Sequence, residues 1–555
     1  DSVVTHPAII DPPPHNAAYF TNKMKFVENY FRRASDGALF VKGDLLPSVL
    51  TVDRPMSEYA RATTPAFAGL ARLAFEGWRK ADSASPGTDF ASYDAFVLFH
   101  AGAGKDIDLV GILGYDPAPY DLPSVYLGLE ALRKGLDSAD FNGIAVSGGA
   151  FRITNTMILP ETETRVFSSS SGSDTLELSL NGLFAASVGS HLGLPDLFDT
   201  KTGRPGIGQF GLMDGASIFA YQGICPPEPS AWEKVRLGWV TPIDVDGPVD
   251  TLRLPAVGLT TTADTVYRVR INASEYYLIE NRIRDPLANG QRLTVFRNGL
   301  TSILAIPTDS TGFYTYDNIT GIDGSVIDVE DLDWSLVGRF GIEGRFDGGG
   351  ILIWHIDEDR ISAGLADNSV NADPARRGVD LEEADGSQDL GESYGFLEGG
   401  SGAESGSPLD AWFLGNEARP YANRFDDTSF PNSRANTAAS SLVTVRDFSA
   451  RAARMSAVVE LGTSRAVSLS GFPKQLQGEL GPAITFDLDG NGTAELITSR
   501  VKTTGVSGRG GTPTGKGALF AWLASGVSAA NPADSGGLAA ETDESVVGMQ
   551  AISPH

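Results

Sequence analysis

A chain of 555 residues is too long to fold around a single hydrophobic core. Single cores stop growing at about 250 to 300 residues, so longer chains divide into domains. We therefore expect three or four domains. The 64 glycines and 31 prolines favour loops and strands over long helices. Cys225 is the only cysteine, so no intrachain disulfide can strengthen a weak core.

The formal net charge of −27 and the pI of about 4.6 restrict the expected partners. Such a surface repels nucleic acids and anionic membranes, so we expect no nucleic-acid partner. It suits calcium and cationic partners, although a merely solubilising surface explains the charge as well. No stretch approaches the 18 apolar residues of a membrane-spanning helix, so we also expect no membrane span.

Five segments in the first half of the chain carry the most specific information. They are Asp94–Gly104, Phe151–Glu161, Gly182–Thr200, Gly208–Gly215 and Pro229–Val240. Their composition and order resemble the M6 metallopeptidases, the immune-inhibitor-A-like family. The resemblance implies a metzincin-like zincin domain of α/β (α+β) class.

The zinc positions of that family are degenerate in this chain. The family pattern H-E-x-G-H-x-L-G-L-P-D-L-[YF]-D falls on Gly182–Thr200, where Ala186 and Ser190 stand at the histidine positions and Ser187 at the glutamate position. Two histidines four residues apart share a helix face and hold zinc, while the glutamate acts as general base. Alanine and serine cannot perform these roles. Of the implied ligands only Asp196 is left.

We therefore expect a catalytically dead peptidase-like domain over residues 1–245, without zinc and without enzyme activity. The resemblance places Met213 in the methionine turn below the degenerate site. Helical spacing predicts helices over Asn22–Arg33 and Pro65–Ala81, the second with Thr64 as N-cap.

The alternative is an active secreted hydrolase, or metallopeptidase, with an unorthodox metal or nucleophile. His191 does not restore the zinc site, because it lies about 100° around the helix from Ser190. A pair of Ser187 or Ser190 with His191 lacks an orienting acid that the sequence could place. His100 and His355 follow apolar strands, and we interpret both as hydrogen-bonded core histidines.

Residues 246–465 are typical of an all-β, sandwich-like domain. Thr265–Ile271 and Glu275–Asn281 alternate as strands do. A carboxylate-rich group in this region predicts either a second calcium site or a solvated acidic face. Its members are Asp357, Glu358, Asp380, Glu382, Glu383, Asp385 and Asp389.

Residues 466–555 resemble an FG-GAP or VCBS-type repeat, which forms one blade of a β-propeller. The loop D-L-D-G-N-G-T-A-E places oxygen ligands at alternate positions around glycine, as Ca²⁺ requires, although Asx-rich turns share this composition. We expect calcium on the side chains of Asp487, Asp489, Asn491 and Glu495 and on the Thr493 carbonyl. One blade cannot close a ring, so we expect a protein partner or self-assembly through residues 466–555.

These expectations describe a secreted or cell-surface pseudopeptidase that acts as a binding, adhesion or extracellular assembly module, including a surface layer or filament component. The first residues, Asp-Ser-Val-Val, lack the basic and apolar run of a signal peptide, so we interpret the chain as a mature form.

Overall fold

The computed structural model describes residues 10–60, 67–107, 109–110, 114–169, 172–259, 265–308, 322–340, 346–394, 400–462, 479–480, 483–486, 495–506, 513–522 and 538–542. The fold is mixed α/β with several sheets and few helices, and the described strands close no barrel. The chain divides into two compact units, Asp1–Thr463 and Ser464–His555. This boundary lies close to the expected one at residue 466.

Among the described residues of the first unit, the helices are short apart from two. They are α1 (Ala17–Ala34), α2 (Met56–Tyr59), α3 (Ala68–Ala84), α4 (Leu129–Gly135), α5 (Asn181–His191), α6 (Gly215–Ile218), α7 (Ala231–Arg236) and α8 (Glu358–Gly364). Single 3-10 turns occur at Phe90–Ser92, Ser147–Gly149, Gly208–Phe210, Leu332–Ser335 and Leu365–Asp367. Among the helices of the described residues, none combines the length and apolarity needed to cross a bilayer.

The strands of the first unit are β1 (Val97–Ala103), β2 (Val125–Leu127), β3 (Ile144–Val146), β4 (Phe151–Ile153), β5 (Thr156–Thr162), β6 (Arg165–Ser169), β7 (Gly172–Leu176), β8 (Ile243–Asp244), β9 (Val249–Pro255), β10 (Tyr267–Arg270), β11 (Glu275–Ile283), β12 (Gln291–Arg297), β13 (Leu300–Ile306), β14 (Ser325–Val329), β15 (Gly338–Phe340), β16 (Phe346–Asp357), β17 (Val379–Leu381), β18 (Arg424–Phe425), β19 (Val443–Arg446) and β20 (Arg454–Leu461).

These strands form several separate sheets. The N-terminal sheet has the order β1-β5-β2, and β1 runs parallel to β5. The largest sheet has the order β15-β16-β11-β10-β8, with β17 also paired to β16. The smaller sheets follow the orders β13-β12-β14 and β18-β19-β20-β9, and β3-β4 and β6-β7 are two-stranded.

Helix α1 confirms and extends the helix predicted over Asn22–Arg33. The Asn16 side chain caps it by accepting from the backbone N–H groups of Ala18 and Tyr19, at 3.0 and 3.4 Å. Helix α3 differs from its prediction, because it begins at Ala68, after Phe67 in the left-handed region (φ 63°). Thr64 and Pro65 lie outside the described residues.

The predicted strands of the central region are present with different bounds. Strand β11 begins at Glu275 as expected and is buried along its whole length. Strands β10 and β16 pair with its two edges, which makes β11 an interior strand of its sheet, and its register with β16 brings Tyr277 opposite His355.

One hydrophobic core extends across residue 245. It contains Phe31 and Trp232 from the first 245 residues together with Leu278 and Trp354 from later strands. Arg282 reinforces the connection from a fully buried position. Its guanidinium donates to the Phe210 carbonyl at 3.0 Å, to the Glu228 carbonyl at 2.9 Å and to the Asp333 carboxylate at 2.5 and 2.6 Å. The predicted domains 1–245 and 246–465 therefore share one hydrophobic core, and the boundary between them stays a prediction.

The second unit contains an antiparallel sheet. Its strands are β21 (Glu479–Leu480), β22 (Ile484–Phe486), β23 (Glu495–Val506), β24 (Pro513–Trp522) and β25 (Leu538–Thr542). Their order is β21-β23-β24-β25, and β22 also pairs with β23. The rings of Phe520 and Trp522 stack at 5.7 Å and belong to buried side chains.

Candidate functional site

Helix α5 carries Ala186, Ser187 and Ser190, which the M6 resemblance predicts to be degenerate zinc and base positions, and protein surrounds the helix over most of its length. Every residue from Asn181 to Gly189 is buried. A helix with no face toward water is expected to be mostly apolar, and Asn181 and Ser187 are the polar residues of this buried stretch. Ala186 is 6% exposed and offers no donor atom from its side chain. The Ser190 hydroxyl donates to the Ala186 carbonyl one turn earlier, at 3.3 Å.

Asp196 binds an amide. Its carboxylate accepts from Asn368 Nδ2 at 2.6 Å, and its backbone N–H donates to Asn368 Oδ1 at 2.9 Å. Burial raises the pKa of Asp196, while the bond from Asn368 lowers it. Asn368 has a φ of 56°, a left-handed conformation that asparagine tolerates better than most residues. Asp196 therefore connects the turn after α5 to the turn after α8.

Met213 packs directly against helix α5, and its assignment to a methionine turn stays a prediction. A Cβ added to Gly189 would approach its sulfur to 2.7 Å, so this glycine permits the close packing. The Glu233 carboxylate fixes the Met213 turn by accepting from the backbone N–H groups of Leu212 at 3.1 Å and Met213 at 2.8 Å.

Two buried carboxylates that support this turn were missed in the sequence. Glu233 also accepts from the Ser230 N–H, and the Ser230 hydroxyl accepts from the Glu233 N–H at 3.4 Å, which makes a capping box at the start of α7. The pattern Ser-Ala-Trp-Glu signals this arrangement. Asp214 Oδ2 accepts from the N–H groups of residues 206–208 at 2.7 to 3.2 Å.

Ser187 and His191 do not form a catalytic pair with an acid in the described residues. Ser187 is 8% exposed. The His191 ring contacts the Tyr126 ring edge-on, with centroids 5.8 Å apart. Burial lowers the pKa of His191. His191 Nδ1 has no hydrogen-bond partner among the described residues.

Six of the seven members of the carboxylate-rich group separate into three sets, and the seventh, Glu358, accepts from the Tyr276 hydroxyl at 2.6 Å. Asp357 caps helix α8 through the Arg360 N–H at 3.0 Å and pairs with Arg376 at 2.9 Å. Asp380 pairs with Arg377 at 2.9 Å. These two aspartates are therefore bound in structural ion pairs with arginines.

The second set surrounds His355, which is a core histidine as expected. Its Nδ1 lies 3.1 Å from Glu382 Oε1, and its Nε2 lies 3.1 Å from Glu275 Oε2. Burial alone would lower the pKa of His355, but the hydrogen bonds and charges of the two glutamates raise it to about 9. The pKa of Glu275 is lowered despite burial, by its bonds from His355 and the Asn436 N–H. We therefore assign a charged imidazolium facing Glu275.

The third set is the acidic cluster, defined as Glu383, Asp385, Asp389 and Asp410. One carboxylate oxygen from each of Glu383, Asp385 and Asp410 lies within 4.8 Å of the other two, and this is the metal-capable group that the described residues contain. The Asp389 side chain lies against the Glu383 carboxylate. Asp410 was missed because it belongs to a later segment, and nothing in its local sequence indicates the contact.

Burial and mutual repulsion dominate the electrostatics of the acidic cluster. Burial, followed by the charge of Asp410, raises the pKa of Glu383 to about 10. Burial and the charges of Asp385 and Asp389 raise the pKa of Asp410 well above its ordinary value. Carboxylates this close cannot all ionise without a compensating cation.

The predicted calcium loop of the second unit falls mostly outside the described residues. Asp487, Asp489, Asn491 and Thr493 are not described, so this site stays a prediction. Glu495 is described, begins strand β23 and is buried.

Comparisons with known proteins leave the M6 resemblance as a prediction from the sequence. No family model, no curated protein and no solved structure matches this chain.

Proposed function

We propose that this protein is a secreted or cell-surface, non-catalytic M6-like pseudopeptidase that acts as a binding, adhesion or extracellular assembly module. The observation that carries the proposal is the chemistry of helix α5. Ala186 has no ligand atom, and the Ser190 hydroxyl is bonded within the helix. Asp196, the remaining implied ligand, is held by Asn368. Zinc catalysis needs three protein ligands and an open position for water, which these side chains do not supply.

The residues packed around helix α5 support a non-catalytic role for this part of the protein. Buried carboxylates at Asp214 and Glu233 each fix several backbone N–H groups around Met213. A buried carboxylate lowers the stability of the folded state unless it is hydrogen-bonded in this way. These hydrogen bonds hold an ordered structure around a site that has no zinc ligands, which supports a role for the surfaces of the protein rather than for catalysis.

Zinc content and peptide cleavage test the non-catalytic part of the proposal. Protein purified without chelator should contain no stoichiometric zinc and should not cleave casein. The triple variant Ala186→His, Ser187→Glu and Ser190→His should gain zinc affinity, because it restores two ligands on one helix face. The control Ala186→His alone adds one ligand and should gain far less. Stoichiometric zinc with chelator-sensitive cleavage in the unaltered protein would instead establish the active hydrolase.

Assembly is proposed to run through residues 466–555, which belong to the compact unit Ser464–His555. A propeller blade that stands alone has unpaired strand edges, which invite strand addition. Sedimentation should therefore detect self-association or partner binding by the full chain, and a chain ending at residue 465 should lose it. Calcium-bridged or ionic contacts should weaken with chelator or salt. A full chain that stays monomeric at high concentration, with residues 471–555 resistant to proteases, would contradict this part.

A further inference from the structure

The acidic cluster joins two separate segments of the first unit. Glu383, Asp385 and Asp389 follow strand β17, whereas Asp410 lies in the segment before Trp412. The Ala384 N–H donates to the Asp410 carbonyl at 2.9 Å, which brings the two backbones together. The cluster is mostly shielded from water, since Glu383 and Asp410 are 0% exposed and Asp389 is 5% exposed. A solvated acidic face, the alternative offered by the sequence, does not fit this burial.

Two oxygens of the cluster have nothing to bond. Asp389 Oδ1 and Asp410 Oδ1 are fully buried and have no hydrogen-bond partner among the described residues. The other oxygen of Asp410 accepts from the Ser407 N–H at 2.7 Å. An ionised carboxylate offers acceptors only, so contact between Asp389 and Glu383 is repulsive unless a proton or a cation lies between them.

Arg377, a buried cation that interacts with Glu383, does not neutralise this charge. Arg377 is buried and influences Glu383, but its Nη1 bonds Asp380 at 2.9 Å and its Nη2 bonds the Leu390 carbonyl at 2.6 Å. One guanidinium already paired with another aspartate cannot balance four further carboxylates. The cluster therefore requires either additional positive charge or protons on several buried groups.

The ligand chemistry selects a hard divalent cation. All candidate ligand atoms in the cluster are oxygens, and neither histidine nor cysteine contributes, which disfavours zinc and copper. Oxygens bound to Ca²⁺ at about 2.3 to 2.6 Å lie at most about 5 Å apart across the ion. The separations within 4.8 Å among oxygens of Glu383, Asp385 and Asp410 fit that limit. The half-buried Asp385 gives the site an edge toward solvent through which an ion can enter.

We propose that Glu383, Asp385, Asp389 and Asp410 bind one Ca²⁺ that fastens the segment after strand β17 to the segment around Asp410. This site is separate from the predicted loop at residues 487–495 and from the zinc positions. It does not depend on the proposed function.

Calcium titration of full-length, metal-stripped protein carrying Asp489→Ala tests the proposal, because that substitution silences the other predicted loop. Calorimetry should detect one Ca²⁺ per chain at this site, and the melting temperature should rise with Ca²⁺ and less with equal Mg²⁺. Calcium should also slow proteolysis between Asp389 and Asp410. This protection locates the ion without any further substitution.

Adding Asp410→Asn should weaken calcium binding at least about tenfold, since one charged ligand is lost. The same change should not lower the melting temperature of the metal-free protein, because it relieves repulsion. The matched control Glu392→Gln removes an exposed charge from the same segment and should leave the titration unchanged. Should Asp410→Asn fail to fold, Glu383→Gln replaces it. No calcium uptake at about 10 mM, or a titration and protease protection unaffected in the variants, would overturn the proposal.

Discussion

Replacing His355 by glutamine should remove a pH-dependent part of the stability of the first unit. The imidazole lies between Glu275 and Glu382, at 3.1 Å from each, and is 6% exposed. Asn436 supports the same site, because its backbone N–H donates to Glu275 at 2.7 Å and its Nδ2 donates to Asp357 at 2.9 Å. Glutamine can donate one hydrogen bond but carries no charge, so it leaves the buried Glu275 without its counterion.

The magnitude follows from the pKa of His355. It is 6.5 for the free side chain and about 9 in the folded protein, because the two glutamates outweigh burial. A raised pKa means that the folded state holds the proton more tightly, so this stability is complete below pH 6.5 and is lost as pH rises through 9. The contribution is about 3 kcal/mol at pH 6, about 1.4 kcal/mol at pH 8 and about 0.4 kcal/mol at pH 9.

Urea unfolding at pH 6, 7, 8 and 9, followed by tryptophan fluorescence, measures this contribution. The difference in unfolding free energy between the wild-type protein and His355→Gln should shrink along that series by the amounts above. His100→Gln is the control. Burial lowers the pKa of His100, so its contribution to the unfolding free energy does not change with pH above 6.5. A difference for His355→Gln that stays constant from pH 6 to 9 would refute the charged imidazolium.

Three further predictions follow from buried charges. Asp11→Ala should destabilise the protein by about 3 to 5 kcal/mol in thermal or urea unfolding, because the buried Lys23 ammonium, whose Nζ lies 2.5 Å from Asp11 Oδ2, loses its counterion. A loss of stability below about 1 kcal/mol would contradict this. Glu233→Ala should cost about 3 kcal/mol by the same assay, since three backbone N–H groups lose their acceptor, with Glu233→Gln recovering part of the loss. Burial and the charge of Asp106 raise the pKa of Glu163, so the folded state favours the protonated carboxyl, and the contribution of Glu163 to stability falls as pH rises above the ordinary pKa of a glutamate. Glu163→Gln should therefore flatten that part of the pH–stability curve, and an unchanged slope would refute this reasoning.

The local features of this fold were readable from the sequence because their causes are local. The apolar spacing of α1 and the alternation of β11 predicted their type, and only their bounds differed. The start of α3 was wrong because Phe67 enters the helix from a left-handed conformation that its spacing does not signal. The capping box at Ser230 and Glu233 was also present in the sequence and could have been found.

By itself, the sequence determined that Ala186 on helix α5 cannot bind a metal, because a side chain without a donor atom cannot bind zinc in any fold. It also determined that His355 lies in the core. The tertiary structure decided which carboxylates meet: it assigned Asp357 and Asp380 to arginines, Glu382 to His355, and Glu383 to Asp410. These choices depend on strand register and on the contact between two distant segments. Pairing of that kind is set by the burial of whole sheets, which no short stretch of sequence encodes.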